Sequence, residues 1–346
     1  MTSKRPQFMA NPFSLKQIAA QSGVSKATVD RALHQRGSVH PRTARRIAQA
    51  IRDLELQQRA SLASGRTLPI DLVMHAPERF SSLTLAALLS QIKSFAPFRL
   101  TLRCHIVEET TPEELVRELR RCGNDSYGVL LKASDHPLLE SAVAELAALR
   151  VPVVTLVTDL PHSERIRYVG MDNEGAGRTA AWLMSRWLPA EAQTVAVALS
   201  SAGFRGEEQR MEGFMATLQQ RAPWLNTVAV SEGYGIDQLT FTQMCAALEQ
   251  DSTIQSVYSV GGGNSAILRA FAAMDREVKV FIGHDLDEEN RQLLTAEKLD
   301  AVIDHDLRED ARTAFSAILR FHGFLPAEEA QQTAFSRVIV ATPFNV

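Results

Sequence analysis

Short apolar runs alternate with amphipathic segments from residue 70 onward, and this alternation restricts the fold more than any other feature of the sequence. A regular alternation of strands and helices predicts parallel sheets with helices on both faces. The candidate strands are 70–74, 100–106, 128–131, 153–157, 168–170, 194–199, 228–231, 256–260, 279–282 and 301–303. They form two sets of five, which predicts an α/β domain with two lobes.

A second pattern, in residues 14–54, predicts three short helices. Ser14 is a suitable N-cap for the first helix, since its hydroxyl can accept a hydrogen bond from an unpaired backbone N–H. Gly23 allows the positive φ of a tight turn. Ser25 is then positioned to cap the second helix, and Pro41 opens the third. Two helices joined by a short turn with glycine form a helix-turn-helix, whose second helix enters the major groove of DNA.

The run IAAQSGVSKATVDRAL, residues 18–33, resembles the start of regulators of the LacI/GalR (lac repressor) family, and departs from the pattern only at Asp30, where serine is usual. The resemblance implies an all-α helix-turn-helix head on a two-lobed, doubly wound, periplasmic-binding-protein-like effector domain of type I. In that architecture the chain crosses between the lobes three times, here near 171–174, 284–286 and 305–307. The expected domains are 1–56 for DNA binding, 57–68 for a linker or hinge, and 69–346 for effector binding and dimerisation.

The second helix is expected to read DNA bases. Lys26, Ala27 and Arg31 lie on its outward face, and an arginine can bind guanine through two hydrogen bonds. Asp30 is expected to orient Arg31 or to accept a hydrogen bond from cytosine N4. The candidate DNA-binding residues are Ser14, Lys16, Ser25, Lys26, Ala27, Thr28, Arg31 and His34.

Charge is distributed unevenly along the chain. Residues 1–64 carry 11 basic and three acidic side chains, although the net charge of the whole chain is −3. A basic head on an acidic body predicts that only the head meets a polyanion. The partner expected from the charge and from the resemblance together is a double-stranded DNA operator.

The linker permits two interpretations. Relatives place a hinge helix here that starts with Pro-Asn and inserts a leucine into the minor groove, but this chain has no Pro-Asn in the segment. Leu62 is the one candidate for such a wedge, and Arg59 is the candidate for a phosphate contact. A plain tether is the alternative prediction.

Polar residues at strand ends predict the effector pocket. Asn264 follows three glycines after a strand, and Asp285 follows another strand, where open α/β sheets bind ligands. The resemblance implies that Asp285 and Arg210 bind the effector. The expected pocket also includes Asp159 at a strand end and His305 at a crossing between the lobes. The aromatic residues Phe80 and Tyr234 complete it. The candidate effector-binding residues are Phe80, Asp159, Arg210, Tyr234, Asn264, Asp285 and His305.

The sequence has no GxSxG, HExxH or catalytic Cys–His pattern, so we expect a binding protein rather than an enzyme, with no cofactor and no metal. Three scattered cysteines favour a reducing cytoplasm, and we expect neither a secretory signal nor a membrane span. The helix near 82–95 offers apolar residues either to its own sheet or to a homodimer. The expected function is transcription regulation, more commonly repression, under control of a sugar or cyclitol. A solute-binding protein or a sugar-active enzyme on the same fold is the alternative.

Overall fold

Two units make up the chain. A computed structural model describes residues 13–34, 36, 39–63, 65–200, 203–327 and 335–346, without the side chains of residues 56, 59, 60, 62 and 63. One unit comprises residues 1–67 with 96–99 and 319–330, and the other comprises residues 68–95, 100–318 and 331–346.

The head begins with a helix-turn-helix, as the sequence predicts. Helices α1 (Leu15–Ser22) and α2 (Lys26–Leu33) are joined by a turn in which Gly23 has a φ of 65°. Ser14 and Gln17 form a capping box at the start of α1: the Gln17 amide donates to Ser14 Oγ at 3.3 Å, and Gln17 Oε1 accepts from the Ser14 amide at 2.9 Å. The turn and caps fix the angle between the two helices.

Helix α3 (Pro41–Ala63) completes the head and is longer than the sequence predicts. Ile18, Val29 and Ile47, one from each helix, are at most 1% exposed and form the small core. The helix covers much of the segment predicted as a linker, because that segment holds good helix formers and no glycine or proline before Gly65. The side chains of the predicted hinge residues, Arg59 and Leu62, lie outside the described residues.

The first lobe is built on a five-stranded sheet of order β2-β1-β3-β4-β5. The pairs β1–β3, β3–β4 and β4–β5 are parallel, with Ile70 opposite Gly128 at the start of the first pair. Its elements are β1 (Thr67–His75), α4 (Glu78–Ile92), a 3₁₀ turn (Lys93–Phe95), β2 (Arg99–Val107), α5 (Pro112–Cys122), β3 (Gly128–Lys132), α6 (Pro137–Ala148), β4 (Val153–Leu156) and β5 (Arg167–Val169).

The second lobe has a six-stranded sheet of order β11-β10-β9-β8-β6-β7. Its elements are α7 (Asn173–Trp187), β6 (Gln193–Ala198), α8 (Arg205–Arg221), β7 (Leu225–Val230), α9 (Asp237–Gln250), β8 (Ile254–Ser259), α10 (Asn264–Ala273), β9 (Phe281–His284), α11 (Glu288–Thr295), β10 (Ala301–Asp304) and β11 (Ile339–Ala341). The edge strand β11 pairs antiparallel with β10 and was not predicted, because it is only three residues long and partly exposed.

Helix α12 (Leu307–Phe321) returns to the first lobe. The rings of Phe315 and Phe95 lie 5.7 Å apart, and Ile318 packs against Gly128. The predicted crossings near 171–174 and 305–307 therefore agree with the structure. The crossing predicted at 284–286 is wrong, since β9 and β10 are neighbours in one sheet. The third crossing instead follows α12.

Apolar side chains fill both faces of each sheet. In the second lobe, Phe214 and Tyr258 stack with ring centroids 4.4 Å apart inside one such core. The sheets hold the strand ends in fixed positions, and the polar residues that follow several of them face the space between the lobes. No described helix has the length and apolar composition needed to cross a membrane.

Candidate DNA-binding surface and effector cleft

The exposed face of α2 carries the predicted base-reading residues. Lys26, Ala27 and Arg31 are all exposed. The Arg31 guanidinium folds back on its own helix, donating to the Ala27 carbonyl and to Thr28 Oγ1, both at 3.3 Å. These are neutral acceptors, so the positive charge of Arg31 remains available to an external acceptor. Ser25 caps α2 by accepting from the Thr28 amide at 3.2 Å.

Asp30 has different partners from those predicted. Its carboxylate lies 2.9 Å from His34 Nδ1 and 3.7 Å from Arg36 Nη1, and Arg31 is not among its described partners. The expectation that Asp30 orients Arg31 is wrong, because Arg31 lies one residue further around the helix and turns toward Ala27. Asp30 instead faces the basic side chains of His34 and Arg36 at the end of α2.

Ser14, Lys16 and His34 are the remaining predicted DNA contacts, and all three are exposed. Ser14 lies at the start of α1, where its hydroxyl donates to Gln17 Oε1 at 2.8 Å. A backbone N–H at a helix N-terminus is a common partner for a phosphate. The two helix starts and the face of α2 thus offer donors of the type that a DNA backbone accepts.

A cavity between the two lobes is the candidate effector site. Six of its lining residues belong to the first lobe, at strand ends, in loops or at the start of α4, and the other eight belong to the second lobe. The lining residues are Pro77, Arg79, Phe80, Lys132, Val157, Thr158, Ser200, Phe204, Gly206, Glu207, Arg210, Val260, Gly261 and Asp285.

Lys132 is a buried cation in this cavity, at the end of β3 and only 7% exposed. Its ammonium donates to the His75 carbonyl at 3.1 Å. The nitrogen lies 4.0 Å from the centre of the Phe204 ring and 5.6 Å from that of Phe80. Burial lowers the pKa of Lys132 to about 8, although the nearby charges of Glu207 and Asp285 oppose the change, and Arg210 lowers it further.

Glu207 lines the same cavity from the first turn of α8. Its carboxylate accepts from the Ser200 amide at 2.7 Å and from the Ser200 hydroxyl at 2.5 Å. Burial raises the pKa of Glu207, although these hydrogen bonds and Lys132 oppose the rise. The protonated form of this carboxyl is therefore favoured relative to a glutamate in water.

Arg210 enters the cavity one turn further along α8 and is 3% exposed. Its Nε donates to Asn173 Oδ1 at 2.8 Å and its Nη1 to the Val260 carbonyl at 3.3 Å. Helices α7 and α8 cross here in backbone contact: a Cβ on Gly177 would lie 1.9 Å from the Arg210 carbonyl oxygen. On the other side of the crossing, a Cβ on Gly213 would lie 2.4 Å from the Glu174 carbonyl oxygen.

Asp285 follows β9 and has a φ of 64°, which is unusual for a residue with a side chain. Its amide donates to the Ile303 carbonyl at 2.9 Å, which holds the residue in this conformation. Its Oδ1 is buried and accepts no hydrogen bond from the described residues. A strained backbone that presents a buried acceptor to a cavity is typical of a ligand-binding position.

Contacts between the lobes keep the cleft narrow. Arg79 of α4 forms an ion pair with Asp287, the N-cap of α11 in the other lobe. Asp287 raises the pKa of Arg79, against the lowering effect of burial. The Gly206 amide donates to Thr158 Oγ1 at 3.0 Å, which adds a second polar contact across the cleft.

Two of the predicted effector residues, Asp159 and Tyr234, do not line the cavity. The polar atoms of each form hydrogen bonds with residues nearby in the sequence. The Asp159 carboxylate accepts from the Arg165 guanidinium, from Thr155 Oγ1 at 2.8 Å and from the Leu160 amide at 2.9 Å. Asp159 therefore holds its own loop in the first lobe. Tyr234 is 40% exposed and donates to Glu232 at 2.6 Å.

Asn264 and His305 are buried, and neither lines the cavity. Asn264 begins α10, and its amide nitrogen donates to Asn290 Oδ1 at 2.6 Å, which joins α10 to α11. His305 Nδ1 lies 2.7 Å from Asp310 Oδ2. Burial lowers the pKa of His305, but Asp310 outweighs it and the net pKa is raised. Of the predicted effector residues, Phe80, Arg210 and Asp285 line the cavity.

One group of described side chains has ligand atoms close enough for a metal. Asp71, His105 and Cys122 offer atoms within 4.8 Å of one another. Arg103 and His105 already hold Asp71, with Arg103 Nη2 at 2.6 Å and His105 Nε2 at 2.9 Å. Burial raises the pKa of Cys122 to about 12, which disfavours the thiolate that a metal requires. The group is better explained as an ion-pair network.

Comparison with known families agrees with this geometry. The profile "Bacterial regulatory proteins, lacI family" matches residues 14–57, which hold the helix-turn-helix. The profile "Periplasmic binding protein domain" matches residues 124–321, more than half of the chain. The chain belongs to the periplasmic binding protein domain family and carries a lacI-family head. The expected α/β fold with a helical head is thereby confirmed.

A curated relative has the same type of head. The HTH-type transcriptional regulator AglR of Rhizobium meliloti (strain 1021) is 29% identical over 188 residues, which are 50% of this chain and 49% of AglR. The chain thus matches about half the length of that relative.

Solved structures of this fold cover the two-lobed part. GanP, a glucose-galactose binding protein from Geobacillus stearothermophilus, has a TM-score of 0.71 and 18% identity, over 81% of this chain and 99% of GanP. A putative LacI transcriptional regulator from Bacteroides fragilis has a TM-score of 0.70 and 13% identity, over 81% and 97%. A transporter solute-binding protein from Agrobacterium vitis with bound D-fucose has a TM-score of 0.69 and 19% identity, over 81% and 96%. These similarities show the periplasmic-binding-protein fold.

Four charged or aromatic residues of the cleft were not predicted. Lys132 is the last residue of β3 and follows an apolar run. Because ligands bind at the carboxyl ends of parallel strands, this position could have been predicted from the sequence. Arg79, Phe204 and Glu207 lie in loops or first helical turns, and their sequence neighbourhoods contain no comparable signal. Only the approach of the two lobes brings them together.

Proposed function

We propose that the protein is a DNA-binding transcription regulator, acting as a repressor, whose two-lobed domain binds a small hydroxylated effector. The observation that carries this proposal is the capped helix-turn-helix, in which α2 presents Lys26, Ala27 and Arg31 on an exposed face. Lysine and arginine on such a face can contact phosphates and guanine edges. The basic composition of residues 1–64 supports the same assignment.

The cleft supports the effector half of the proposal. Arg210 and Asp285 offer fixed donors and an acceptor, and Phe80 and Phe204 offer apolar ring faces from opposite lobes. This combination suits a sugar or cyclitol, which has hydroxyl groups around a carbon ring. The names of GanP and of the D-fucose complex point to sugars in two proteins of the same fold.

Coupling between effector and operator follows from the two-lobed design. A ligand that binds the closed cleft more tightly than the open one shifts the lobes toward closure. In a homodimer, that shift changes how the two heads reach their half-sites, with a coupling free energy of about 1–3 kcal/mol. The site of action in this proposal is the cytoplasm, where the operator lies.

Selection from a randomised duplex DNA library tests the DNA-binding half. The full chain should enrich an inverted repeat, and its affinity should fall steeply with salt. A variant with Lys26→Glu and Arg31→Glu should enrich nothing. A control with Lys279→Glu and Lys298→Glu, both exposed in the second lobe, should behave as the unmodified chain does. The proposal fails if the unmodified, folded chain enriches no sequence at low salt.

A solute-binding protein of the same fold is the alternative. It shares the cleft but has no use for a sequence-specific head. A sugar-active enzyme is the other alternative, and it would turn over the sugar that it binds. Enrichment of one DNA sequence and release from that DNA by a bound sugar, without any product, would separate the regulator from both.

A further inference from the structure

The cleft contains two buried cations that have no carboxylate partner among the described residues, beside one buried acceptor that is unpaired. From this arrangement we infer that the effector is an acidic sugar, a polyhydroxylated molecule that also carries a carboxylate or phosphate group. The inference rests on the proposed effector function of the cleft and names the chemical class of its ligand.

Lys132 is the first of these cations. An ammonium group has three N–H donors, and the described residues supply one acceptor, the His75 carbonyl at 3.1 Å. No described carboxylate oxygen lies within the 4.0 Å of a salt bridge to its nitrogen. The Phe204 ring at 4.0 Å stabilises the charge only in part. A buried cation of this kind gains most from an anion that arrives with its own charge.

Arg210 is the second cation. Its two described acceptors, Asn173 Oδ1 at 2.8 Å and the Val260 carbonyl at 3.3 Å, are both neutral. Arg79 differs from it, because Asp287 already neutralises Arg79. The guanidinium of Arg210 can therefore donate to an incoming oxyanion through the N–H groups that remain.

The cavity lining also contains two carboxyl groups, those of Glu207 and Asp285, and they differ in how far their oxygens are already hydrogen-bonded. Both oxygens of Glu207 already accept hydrogen bonds from Ser200, and burial raises the pKa of that carboxyl. Asp285 is the remaining acidic residue of the cavity wall, and its Oδ1 accepts no hydrogen bond from the described residues. A ligand hydroxyl is the donor that this oxygen requires. The cavity thus pairs cationic donors for an acid group with an acceptor for a hydroxyl.

Direct binding of single compounds to the full chain tests the inference. Isothermal titration would compare D-glucuronate, D-gluconate and D-glucose 6-phosphate with the neutral sugars D-glucose and D-galactose. We expect at least one acid to bind about 100-fold more tightly than its neutral counterpart, since charge-assisted hydrogen bonds are the stronger ones. The carboxylates and the phosphate ester distinguish the two possible acid groups.

Lys132→Met provides the specific variant, because methionine fills a similar volume without the charge. We expect it to lose about tenfold to 100-fold in affinity for the acid and little for neutral sugars. Lys298→Met, an exposed lysine of the second lobe, is the matched control and should bind as the unmodified chain does.

Two results would overturn the inference, and they differ in what else they affect. If a neutral sugar binds as tightly as its acid, and Lys132→Met leaves that preference unchanged, the acidic class is wrong but the effector cleft stands. If none of the five compounds binds the folded protein, both the inference and the effector half of the proposed function are contradicted. DNA selection by the head would still test the regulator half separately.

Discussion

Arg79 and Asp287 form an ion pair across the cleft, although 208 positions separate them in the sequence and they belong to different lobes. Asp287 has a second task, because its Oδ1 accepts from the Asn290 amide at 2.8 Å and so caps α11. One carboxylate therefore fixes the start of a helix in the second lobe and holds α4 of the first lobe against it.

Asp287→Asn separates these two tasks. Asparagine remains a good N-cap, so α11 should persist, whereas Arg79 loses its counter-ion in a mostly buried position. We expect the free energy of unfolding to fall by about 1–3 kcal/mol and the lobes to separate, which small-angle scattering would detect as a larger radius of gyration. Glu145→Gln in the exposed Arg120–Glu145 pair is the control and should change neither quantity. An unchanged radius of gyration would contradict the expectation that the Arg79–Asp287 ion pair holds the two lobes together.

Lys132 should make stability depend on pH in the alkaline range. Burial lowers its pKa to about 8 in the folded protein, against 10.5 for an ordinary lysine. Between these values the unfolded chain binds more protons than the folded one, so the free energy of unfolding should rise with pH, by at most about 1.4 kcal/mol per pH unit. Denaturant titrations between about pH 8 and 10.5 should show this slope in the unmodified chain and a smaller one in Lys132→Met. Equal slopes in the two proteins would mean that Lys132 keeps its proton throughout.

Arg31→Ala should weaken binding to the selected operator. The loss of a bidentate arginine–guanine contact costs about 1–3 kcal/mol, and the preference at one base position should relax. Fluorescence anisotropy on the operator and its single-base variants measures both effects. Arg117→Ala, which removes an exposed arginine of the first lobe, should leave both unchanged. A uniform loss on every sequence would instead assign Arg31 to a phosphate.

Leu89 is the apolar residue on α4 that bears on dimer formation. Leu88 is 1% exposed and faces its own lobe, whereas Leu89 is 51% exposed. We expect the full chain to sediment as a dimer and Leu89→Lys to shift it toward monomer, because a lysine would have to lose water at the interface. Leu149→Lys alters a leucine that is 63% exposed on the same lobe and should have no such effect. A Leu89→Lys protein that remains fully dimeric would exclude this helix face from the interface.

The pattern of strands and helices was predictable because burial dictates it. All ten predicted strands are present, since each needs its apolar run to fill a sheet covered on both faces. The short edge strand β11 was missed because an edge needs fewer apolar residues. Helix α3 was predicted too short because polar composition in the segment from Gln57 onward indicated a linker, whereas helix propensity extended the helix to Ala63.

The cleft was only partly predictable, because its geometry depends on loops and on lobe closure. Asp285 and Arg210 were identified from strand ends and from the family pattern, and both line the cavity. Asp159 also follows a strand, but Arg165, six residues later, binds its carboxylate. Nothing in the sequence indicates which of two strand-end aspartates has a nearby arginine in three dimensions. The same limit applies to Phe204, which faces Lys132 only when the lobes meet.

The glycines at the crossing of α7 and α8 limit how this pocket can be remodelled. Gly177 rests against the Arg210 carbonyl and Gly213 against that of Glu174, so any side chain at either position would push the two helices apart. Arg210 therefore lies on a helix whose position is fixed by its close packing against α7. Substitutions on the first-lobe side of the cavity are therefore the simplest way, in evolution or in engineering, to change which ligand it binds. Phe80 and Lys132 belong to the first lobe, where a substitution leaves the helix crossing intact.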